Sequence, residues 1–218
     1  MSSTKRGGQR RPDDFYRTPR WAIDALLYNI WGVKGPILDP GCGDGAILAA
    51  LQDHGYPDTI GVELDAGRAE AAAPFCRQLL VGDLLTLDLT HLNAGTVIGN
   101  PPYALAQEFV EHALRTVQPG GKVYLLLRLA FLAGEKRARS GLWSHLDAVH
   151  ILSRRPAFTA KGTDSADYAW IVWRRPQHAQ EVRWPEDKKV SLQIIHPDPQ
   201  DARATGHLSQ QTVTSAHE

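Results

Sequence analysis

The stretch Ile37-Leu38-Asp39-Pro40-Gly41-Cys42-Gly43-Asp44-Gly45 decides the fold of this chain. Two apolar residues lead to an acidic one, three glycines follow at alternate positions, and the apolar residues of a helical pattern begin at Ala46. Glycine adopts positive φ readily and lets a backbone approach a ligand closely. The stretch therefore predicts a buried strand that passes through a glycine-rich loop into a helix.

Beyond this stretch, short apolar runs alternate with helical patterns. The alternation predicts strands over residues 35–39, 58–63, 78–82, 96–99, 122–128, 148–152 and 168–173, and helices over residues 46–54, 66–73 and 105–117. Strands and helices that alternate in this way are typical of a parallel sheet covered on both faces. The predicted fold class is therefore α/β, with a mostly parallel sheet and helices on both of its faces.

The segments that flank this pattern are predicted separately. A first helix should have Thr18 as its N-cap and Pro19 as its first residue, and it should stop at Gly32. The basic segment around residues 142–146 is also expected to be helical. A loop of about fifteen residues precedes Tyr168. Such a length is uncommon unless the loop serves a site, and it permits the last strand to run antiparallel to the others.

The length of 218 residues fits one domain with a sizeable core. We expect residues 1–12 to form a basic, disordered tail and residues 13–175 to form the main domain. Residues 176–218 are polar and contain a strand-like patch at 190–195. We expect them to form an appendage that is partly disordered.

Composition narrows the class of protein. The 24 Lys and Arg residues balance the 24 Asp and Glu residues, so the net charge indicates no polyanionic partner. The amino-terminal residues lack the apolar core of a signal peptide, and no apolar run is long enough to span a bilayer. We therefore expect a cytoplasmic protein with no membrane partner. Cys42 and Cys76 form no zinc pattern and the nine histidines show no paired ligand spacing, so we expect no metal.

Acidic residues follow three successive predicted strands. Asp39 ends the first, Glu63 ends the second and Asp83 follows the third. Because ligands bind at the carboxyl edge of a parallel sheet, these acids are expected to share one site. Asp39 beside the glycines favours a ligand with a positive amino group, Glu63 can accept from ribose hydroxyls, and Asp83 can accept from an adenine amino group while Leu84 packs on the ring. An amino group, a ribose and an adenine together indicate S-adenosylmethionine.

The tetrapeptide Asn100-Pro101-Pro102-Tyr103 follows the fourth predicted strand. Two prolines stiffen the backbone, so that the Asn100 side-chain oxygen and the Pro101 carbonyl can both accept from one amino group. Tyr103 offers a ring for stacking. The tetrapeptide therefore predicts a site that binds a planar amino group next to the S-adenosylmethionine.

With these motifs, the chain resembles the class I S-adenosylmethionine-dependent methyltransferases, and among them the enzymes that make N6-methyladenine in DNA. The order of the motifs is similar to the gamma arrangement of that family, and the stretch Phe15-Tyr16-Arg17-Thr18-Pro19 looks like its amino-terminal cofactor motif. The resemblance covers residues 13–175 and implies a Rossmann-like fold with a seven-stranded, mostly parallel sheet whose last strand is antiparallel. The outline is especially similar to small phage-encoded enzymes, and the resemblance associates such chains with restriction–modification.

The resemblance also implies roles for individual residues. Phe158 is similar in position to the aromatic residue that stacks on an extruded base, so it joins the tetrapeptide as a candidate catalytic residue. The implied cofactor-binding residues are Tyr16, Thr18, Pro19, Asp39, Pro40, Gly41, Gly43, Glu63, Leu64, Asp83, Leu84 and Asn100.

The basic residues of the second half are candidate nucleic-acid contacts, and these are Lys136, Arg137, Arg139 and Lys161. Larger members of the family carry a separate recognition domain, whereas about 43 residues follow the last predicted core strand here. We therefore expect short or relaxed sequence specificity, with DNA as the partner.

Three alternatives stay open at this point. The same tetrapeptide serves enzymes that methylate an exocyclic amine in RNA, the N4 amine of cytosine in DNA, or a glutamine amide in release factors. A non-catalytic nucleic-acid-binding module with this fold is a further alternative of a different class. The release-factor enzymes generally resemble chains with a helical domain ahead of the glycine loop, and here 38 residues precede Asp39.

Overall fold

The computed structural model describes residues 15–158, 164–178 and 189–196. These residues form a single sheet whose strands are β1 (Ile37–Asp39), β2 (Thr59–Glu63), β3 (Gln78–Val81), β4 (Thr96–Gly99), β5 (Lys122–Arg128), β6 (Leu146–Leu152), β7 (Tyr168–Arg174) and β8 (Ser191–Ile195). The accompanying helices are α1 (Arg20–Asn29), α2 (Ala46–Asp53), α3 (Ala66–Ala72), α4 (Ala106–Thr116) and α5 (Glu135–Arg139). The strands predicted from sequence are present, with bounds that differ by one or two residues.

The strand order in the sheet is β3-β2-β1-β4-β5-β7-β6-β8. Strands β1 to β5 are parallel, and β7 is antiparallel to both β5 and β6. The prediction of a mostly parallel α/β sheet with an antiparallel last core strand is confirmed. Because β7 reverses direction between them, β6 runs the same way as β5. The carboxyl ends of β1 to β6 therefore lie at one edge, which we call the carboxyl edge.

The sheet has eight strands where the sequence predicted seven. The additional strand, β8, pairs in parallel with β6 from Ala148↔Ser191 to Leu152↔Ile195. It comes from the segment that was expected to be an appendage. Ile195 is fully buried among the residues that α1 covers, so this part of the segment packs on the core. Residues 1–14 and 197–218 lie outside the described residues, and so does the tail predicted over residues 1–12.

Helices lie on both faces of the sheet, as predicted. Successive residues of a strand point to opposite faces, so Leu38 packs with the α4 residue Phe109 while Ile37 packs with residues of α1 and α2. Trp170 of β7 is fully buried on the α1 face, and its indole nitrogen donates to the carbonyl of Ala22 at 2.9 Å. This bond fixes the first turn of α1 against the sheet.

Helix α1 begins one residue later than predicted. Pro19 is extended (φ −62°, ψ 134°) and occupies the N-cap position, with no side-chain capping bond. Thr18, predicted as the N-cap, lies one residue before the cap position, and its hydroxyl accepts a hydrogen bond from Asn100. Residues 142–146, also expected to be helical, form a 3₁₀ turn at Leu142–His145 that leads into β6.

Candidate active site

The glycine loop joins β1 to α2 at the carboxyl edge. Gly43 (φ +54°) and Gly45 (φ +84°) occupy the left-handed region, where glycine is favoured. A Cβ atom on Gly45 would lie 2.9 Å from the Cα atom of Ala72, so this glycine also permits the close packing of α3. The amide of Cys42 donates to the Val62 carbonyl at 2.9 Å, which holds the loop against β2.

Asp39 is the most unusual acidic residue of the site. It is fully buried, and its Oδ1 accepts a long hydrogen bond of 3.5 Å from the Gly41 amide. Its Oδ2 has no hydrogen-bond partner among the described residues. Burial raises the pKa of this carboxyl to about 8, with a further contribution from the charge of Glu63. A buried carboxylate without a partner is suited to bind a cation, as an α-amino group would be.

The Glu63 carboxylate accepts hydrogen bonds from neighbouring groups of the protein. Its Oε2 accepts from the Gly43 amide at 2.8 Å, and its Oε1 accepts from the Asp65 amide at 3.0 Å and from Nε of Arg68 at 3.1 Å. The carboxylate therefore organises the glycine loop and the start of α3. A carboxylate has about four lone-pair sites, so acceptor capacity for a ribose hydroxyl remains at Oε2.

The carboxyl edge contains a cavity of about 410 Å³. The predicted cofactor residues that line it are Tyr16, Thr18, Asp39, Gly41, Glu63, Leu64, Asp83, Leu84 and Asn100, and Pro102 of the tetrapeptide lines it as well. Sequence reasoning missed other lining residues, among them Phe15, Arg17, Asp44, Arg68 and Phe109. Phe15 and Arg17 belong to the recognised amino-terminal motif, which was the available signal, whereas Phe109 is an ordinary apolar position of α4.

Several predicted site residues do not line this cavity, namely Pro19, Pro40, Gly43, Pro101, Tyr103 and Phe158. Pro40 packs against Gly99, where an added Cβ would lie 2.8 Å from the proline Cδ. Gly43 is covered by Phe15, and Pro19 caps α1. Tyr103 and Phe158 lie in a neighbouring aromatic cluster.

Residues Phe15–Thr18 cross the glycine loop, and we call this segment the strap. The Phe15 ring lies directly on Gly43, because a Cβ there would be 2.2 Å from the ring. The Arg68 guanidinium lies 5.2 Å from the centroid of the same ring. Arg17 forms an ion pair with Asp44, with 2.6 Å between Nε and Oδ2. The strap therefore closes the cavity on the side of the glycine loop.

The strap also orients Asn100. The Asn100 Nδ2 atom donates to the Tyr16 carbonyl at 3.0 Å and to the Thr18 hydroxyl at 3.1 Å. Thr18 is buried, with 4% of its surface exposed. An amide nitrogen has two protons, and these two bonds use both. The Oδ1 atom is consequently the atom of Asn100 that can accept a hydrogen bond from a substrate.

Four aromatic rings cluster next to Asn100. The rings of Tyr16 and Tyr103 are nearly parallel (13°) with centroids 6.1 Å apart, and Phe158 meets Tyr103 edge-on at 6.4 Å. Tyr168 lies 5.7 Å from Tyr103. Inserting a flat base between two parallel rings needs roughly 7 Å, two contact distances of about 3.5 Å. The parallel rings of Tyr16 and Tyr103 are closer than this, and the rings of Tyr103 and Phe158 meet at an angle of 63°. The expected stacking of a base between Tyr103 and Phe158 therefore requires movement within this cluster.

Beside the aromatic cluster, Arg128, Tyr168 and Asp164 form a hydrogen-bonded group that sequence reasoning missed. The Tyr168 hydroxyl donates to Oδ2 of Asp164 at 2.6 Å and accepts from Nε of Arg128 at 3.1 Å. The Arg128 guanidinium also lies 5.2 Å from the Tyr103 ring centroid. Arg128 ends β5 and Tyr168 begins β7, and the two are paired across the antiparallel ladder. Only that pairing brings them together, since forty residues separate them in the sequence.

The predicted nucleic-acid contacts on α5 are engaged within their own segment. Arg137 donates to the carbonyls of Phe131 and Ala133, and Arg139 pairs with Glu135. The structure does not describe the Lys136 side chain, and Lys161 lies outside the described residues. The basic pattern of this segment is therefore explained in part by local capping and pairing.

Cys42 of the glycine loop also lines the cavity. Burial raises the pKa of the Cys42 thiol well above its usual range, so this cysteine is a small packing residue. Within the described ranges, no three His, Cys, Asp or Glu side chains are grouped so that they could hold a metal ion.

None of the helices in these ranges is both long and apolar enough to cross a membrane.

The fold resembles that of known proteins. Neither a family model nor a curated protein sequence matches the chain. Among solved structures, it is similar to a putative class I S-adenosylmethionine-dependent methyltransferase from Listeria monocytogenes (18% identity, TM-score 0.56, 85% of this chain and 65% of that one). It is also similar to the M protein of the type I restriction enzyme EcoKI (19% identity, TM-score 0.57, 73% and 44%).

A third similar structure is a putative RNA methyltransferase from Pyrococcus horikoshii (18% identity, TM-score 0.59, 78% of this chain and 93% of that one). The chain matches somewhat less than two thirds of the Listeria protein and less than half of the EcoKI subunit. At these identities the comparisons establish the fold, which is the Rossmann-like fold of class I methyltransferases.

Proposed function

We propose that this protein transfers the methyl group of S-adenosylmethionine to the N6 amine of adenine in DNA. The observation that carries the proposal is the orientation of Asn100. Both protons of its amide nitrogen are bound by the strap, so its oxygen is presented to an incoming amino group at the border of a cavity of about 410 Å³.

The residues that line the cavity fit the donor. Asp39 supplies a buried carboxyl oxygen that has no partner among the described residues, and its ionised form would bind the α-amino group. Glu63 keeps acceptor capacity for the ribose. Leu84 is buried beside Asp83 at the end of β3, where an apolar side chain and an acceptor suit an adenine ring. When bound, S-adenosylmethionine supplies an electrophilic methyl group on a positively charged sulfur.

The chain's own contribution to the reaction is positioning and polarisation. The amino nitrogen of adenine is a weak nucleophile, because its lone pair is delocalised into the ring. Hydrogen bonds to Asn100 Oδ1 and to the Pro101 carbonyl favour a pyramidal nitrogen and stabilise the charge that develops on it. Correct alignment of the two reactants can lower the barrier by roughly 7 to 11 kcal/mol. The product nitrogen can release its proton after transfer, so the proposal needs no strong general base.

The acceptor base must leave a duplex to reach Asn100, or come from single-stranded substrate. Tyr103, Phe158 and Tyr16 surround the place next to Asn100 that such a base would take. Stacking on these rings would offset the cost of extrusion, which is a few kcal/mol. The absence of a large recognition segment between residues 15 and 158 supports short or relaxed sequence specificity.

RNA is the second candidate polymer, and one similar structure bears the name of a putative RNA methyltransferase. The preference for DNA over RNA rests on the amino-terminal motif at Phe15–Pro19, since the tetrapeptide serves both classes of enzyme. Both polymers offer adenine as the same planar amine, so the choice between them requires a direct measurement.

The test is to incubate the protein and labelled donor with double-stranded DNA, single-stranded DNA and RNA, and to identify the modified nucleoside by mass spectrometry after digestion. We expect N6-methyladenine in DNA. N4-methylcytosine, or methylation confined to RNA, would contradict the proposal.

The matched variants are Asn100→Ala in the site and Asn29→Ala on α1. The loss of an acceptor that acts in the transition state should lower the rate by about 10² to 10³ for Asn100→Ala, while calorimetry should show the donor still bound. Asn29→Ala should retain wild-type activity. Equal activity of the two variants would show that the tetrapeptide is not the catalytic motif.

A further inference from the structure

The loop that follows β6 reaches the same edge of the sheet as Asn100. Strand β6 runs parallel to β5 because β7 is antiparallel to both, so its carboxyl end lies at the carboxyl edge. The loop contains Arg154 and ends its described part at Phe158, four residues later. Arg154 is exposed. This places a cation on the rim of the aromatic cluster, on the opposite side from the glycine loop.

Trp21 holds the Arg154 side chain in place. The guanidinium carbon lies 4.3 Å from the centroid of the Trp21 ring, which is a cation–π contact. Trp21 is in the first turn of α1, three residues after Thr18, and the Trp170–Ala22 bond anchors that turn. Stacking uses the face of the guanidinium and leaves the N–H donors on its rim directed away from the ring. Arg154 is thus ordered while its donors remain available.

Arg154 also differs from several other arginines of the described residues, which have a carboxylate partner. The pairs are Arg17–Asp44, Arg20–Asp24, Arg68–Glu63, Arg128–Asp164 and Arg155–Asp167. No ion pair joins Arg154 to a carboxylate in residues 15–158, 164–178 or 189–196. Its positive charge is therefore not neutralised by a carboxylate of the described residues.

We propose that Arg154, held on Trp21, binds a backbone phosphate of the DNA next to the adenine that enters the site. This inference rests on the proposed function and names a contact that the sequence pattern did not indicate. A planar guanidinium with ordered donors can bind two phosphate oxygens at once. Phosphate contacts position a nucleic acid without reading its sequence, which agrees with short or relaxed specificity.

The test measures binding of fluorescently labelled, mixed-sequence double-stranded DNA as a function of salt concentration. Each phosphate contact contributes about 0.9 to the slope of log K against log salt concentration. We expect Arg154→Ala to lower the magnitude of the slope by about one and to weaken binding about tenfold at low salt. Trp21→Leu keeps the charge, so it should leave most of the slope while it weakens binding.

Arg155→Ala is the matched control. It removes the same charge from the adjacent position of the same loop, but Arg155 is already paired with Asp167 at 2.8 Å. We expect its salt slope to match that of the wild type. A wild-type slope for Arg154→Ala, or an equal loss of slope for Arg155→Ala, would refute the assignment.

The same series separates this inference from the proposed function. If the wild-type protein binds and methylates DNA but Arg154→Ala behaves like it, only the phosphate contact is wrong. If the wild-type protein neither binds nor methylates DNA, both proposals are wrong.

Discussion

Nδ2 of Asn100 lies 3.1 Å from the hydroxyl oxygen of Thr18, although 82 residues separate them in the sequence. The bond joins the strap ahead of α1 to the tetrapeptide after β4. It acts with the Tyr16 carbonyl to decide which end of the Asn100 amide faces the substrate. Thr18 is therefore a positioning residue for the proposed reaction, in addition to lining the cavity.

Replacing Thr18 with valine tests this role, because valine has a similar shape and no hydroxyl. One hydrogen bond contributes about 0.5 to 1.5 kcal/mol, so we expect kcat to fall roughly 2- to 10-fold with the KM for DNA little changed. Thr18→Ser retains the acceptor and should keep kcat close to that of the wild type. Steady-state kinetics with donor binding measured separately distinguishes this effect from a cofactor defect. Equal losses in the valine and serine variants would contradict it.

The raised pKa of Asp39 predicts that donor binding releases a proton. This carboxyl has a pKa of about 8 in the folded protein, so it is largely protonated at pH 7, whereas a cationic amino group requires the ionised form. The affinity for the methyl donor should therefore fall by up to about tenfold for each pH unit below 8. Calorimetry at pH 7 in buffers of different ionisation enthalpy should detect nearly one proton released, and Asp39→Asn should abolish that release together with most of the binding.

The same pKa predicts an effect on stability. Between the ordinary pKa of 3.8 and about 8, the folded protein holds a proton on Asp39 that the unfolded chain does not. Since stability falls with pH where the native state binds more protons, the wild-type free energy of unfolding should decrease by up to ~1.4 kcal/mol per pH unit across this window. Asp39→Asn should remove that slope and be the more stable protein at pH 8. Urea titrations at several pH values measure the free energy of unfolding of both proteins. The same dependence on pH in both would contradict the raised pKa of Asp39.

Gly43 and Phe15 should be energetically coupled. An alanine at Gly43 would meet the Phe15 ring at 2.2 Å and would also adopt a φ of +54°, which costs roughly 1 to 2 kcal/mol for an L-residue. In a Phe15→Ala background the collision is absent and only the backbone cost remains. Gly43→Ala should therefore destabilise the wild type more than it destabilises Phe15→Ala. A double-mutant cycle on urea unfolding measures the coupling, and additive effects would show that the strap does not rest on the loop.

Phe158 is expected to stabilise an extruded base. Its ring meets Tyr16, Tyr103 and Tyr168 with centroid distances of 5.9, 6.4 and 5.2 Å. Stacking is worth about 1 to 3 kcal/mol per base, so Phe158→Ala should weaken binding of DNA with an unpaired target by about 5- to 150-fold. Phe158→Trp should preserve it. Fluorescence of 2-aminopurine at the target reports extrusion directly, and an unchanged signal in the alanine variant would exclude this role.

Much of the fold could be predicted from the sequence, because the relevant information is local. Hydrophobic runs, glycines and prolines indicate which residues of the chain form β1, β4 and α4. Once a strand has been located, the sequence also shows which residue stands at its end. The acids Asp39, Glu63 and Asp83 were predicted to share one edge, since parallel strands bring their carboxyl ends together. The eighth strand was not predicted as part of the sheet, because its pairing with β6 depends on a long-range contact across the polar segment 176–190.

The sequence by itself determined the α/β class, the glycine loop and the candidate residues of the site, because each depends on residue type and on spacing within a few positions. Only the tertiary structure decided which of them meet: the Thr18 hydroxyl with Asn100, the Phe15 ring with Gly43, and Arg154 with Trp21. Such contacts join segments that are far apart in the chain, so they depend on how the sheet and its loops pack rather than on any local pattern.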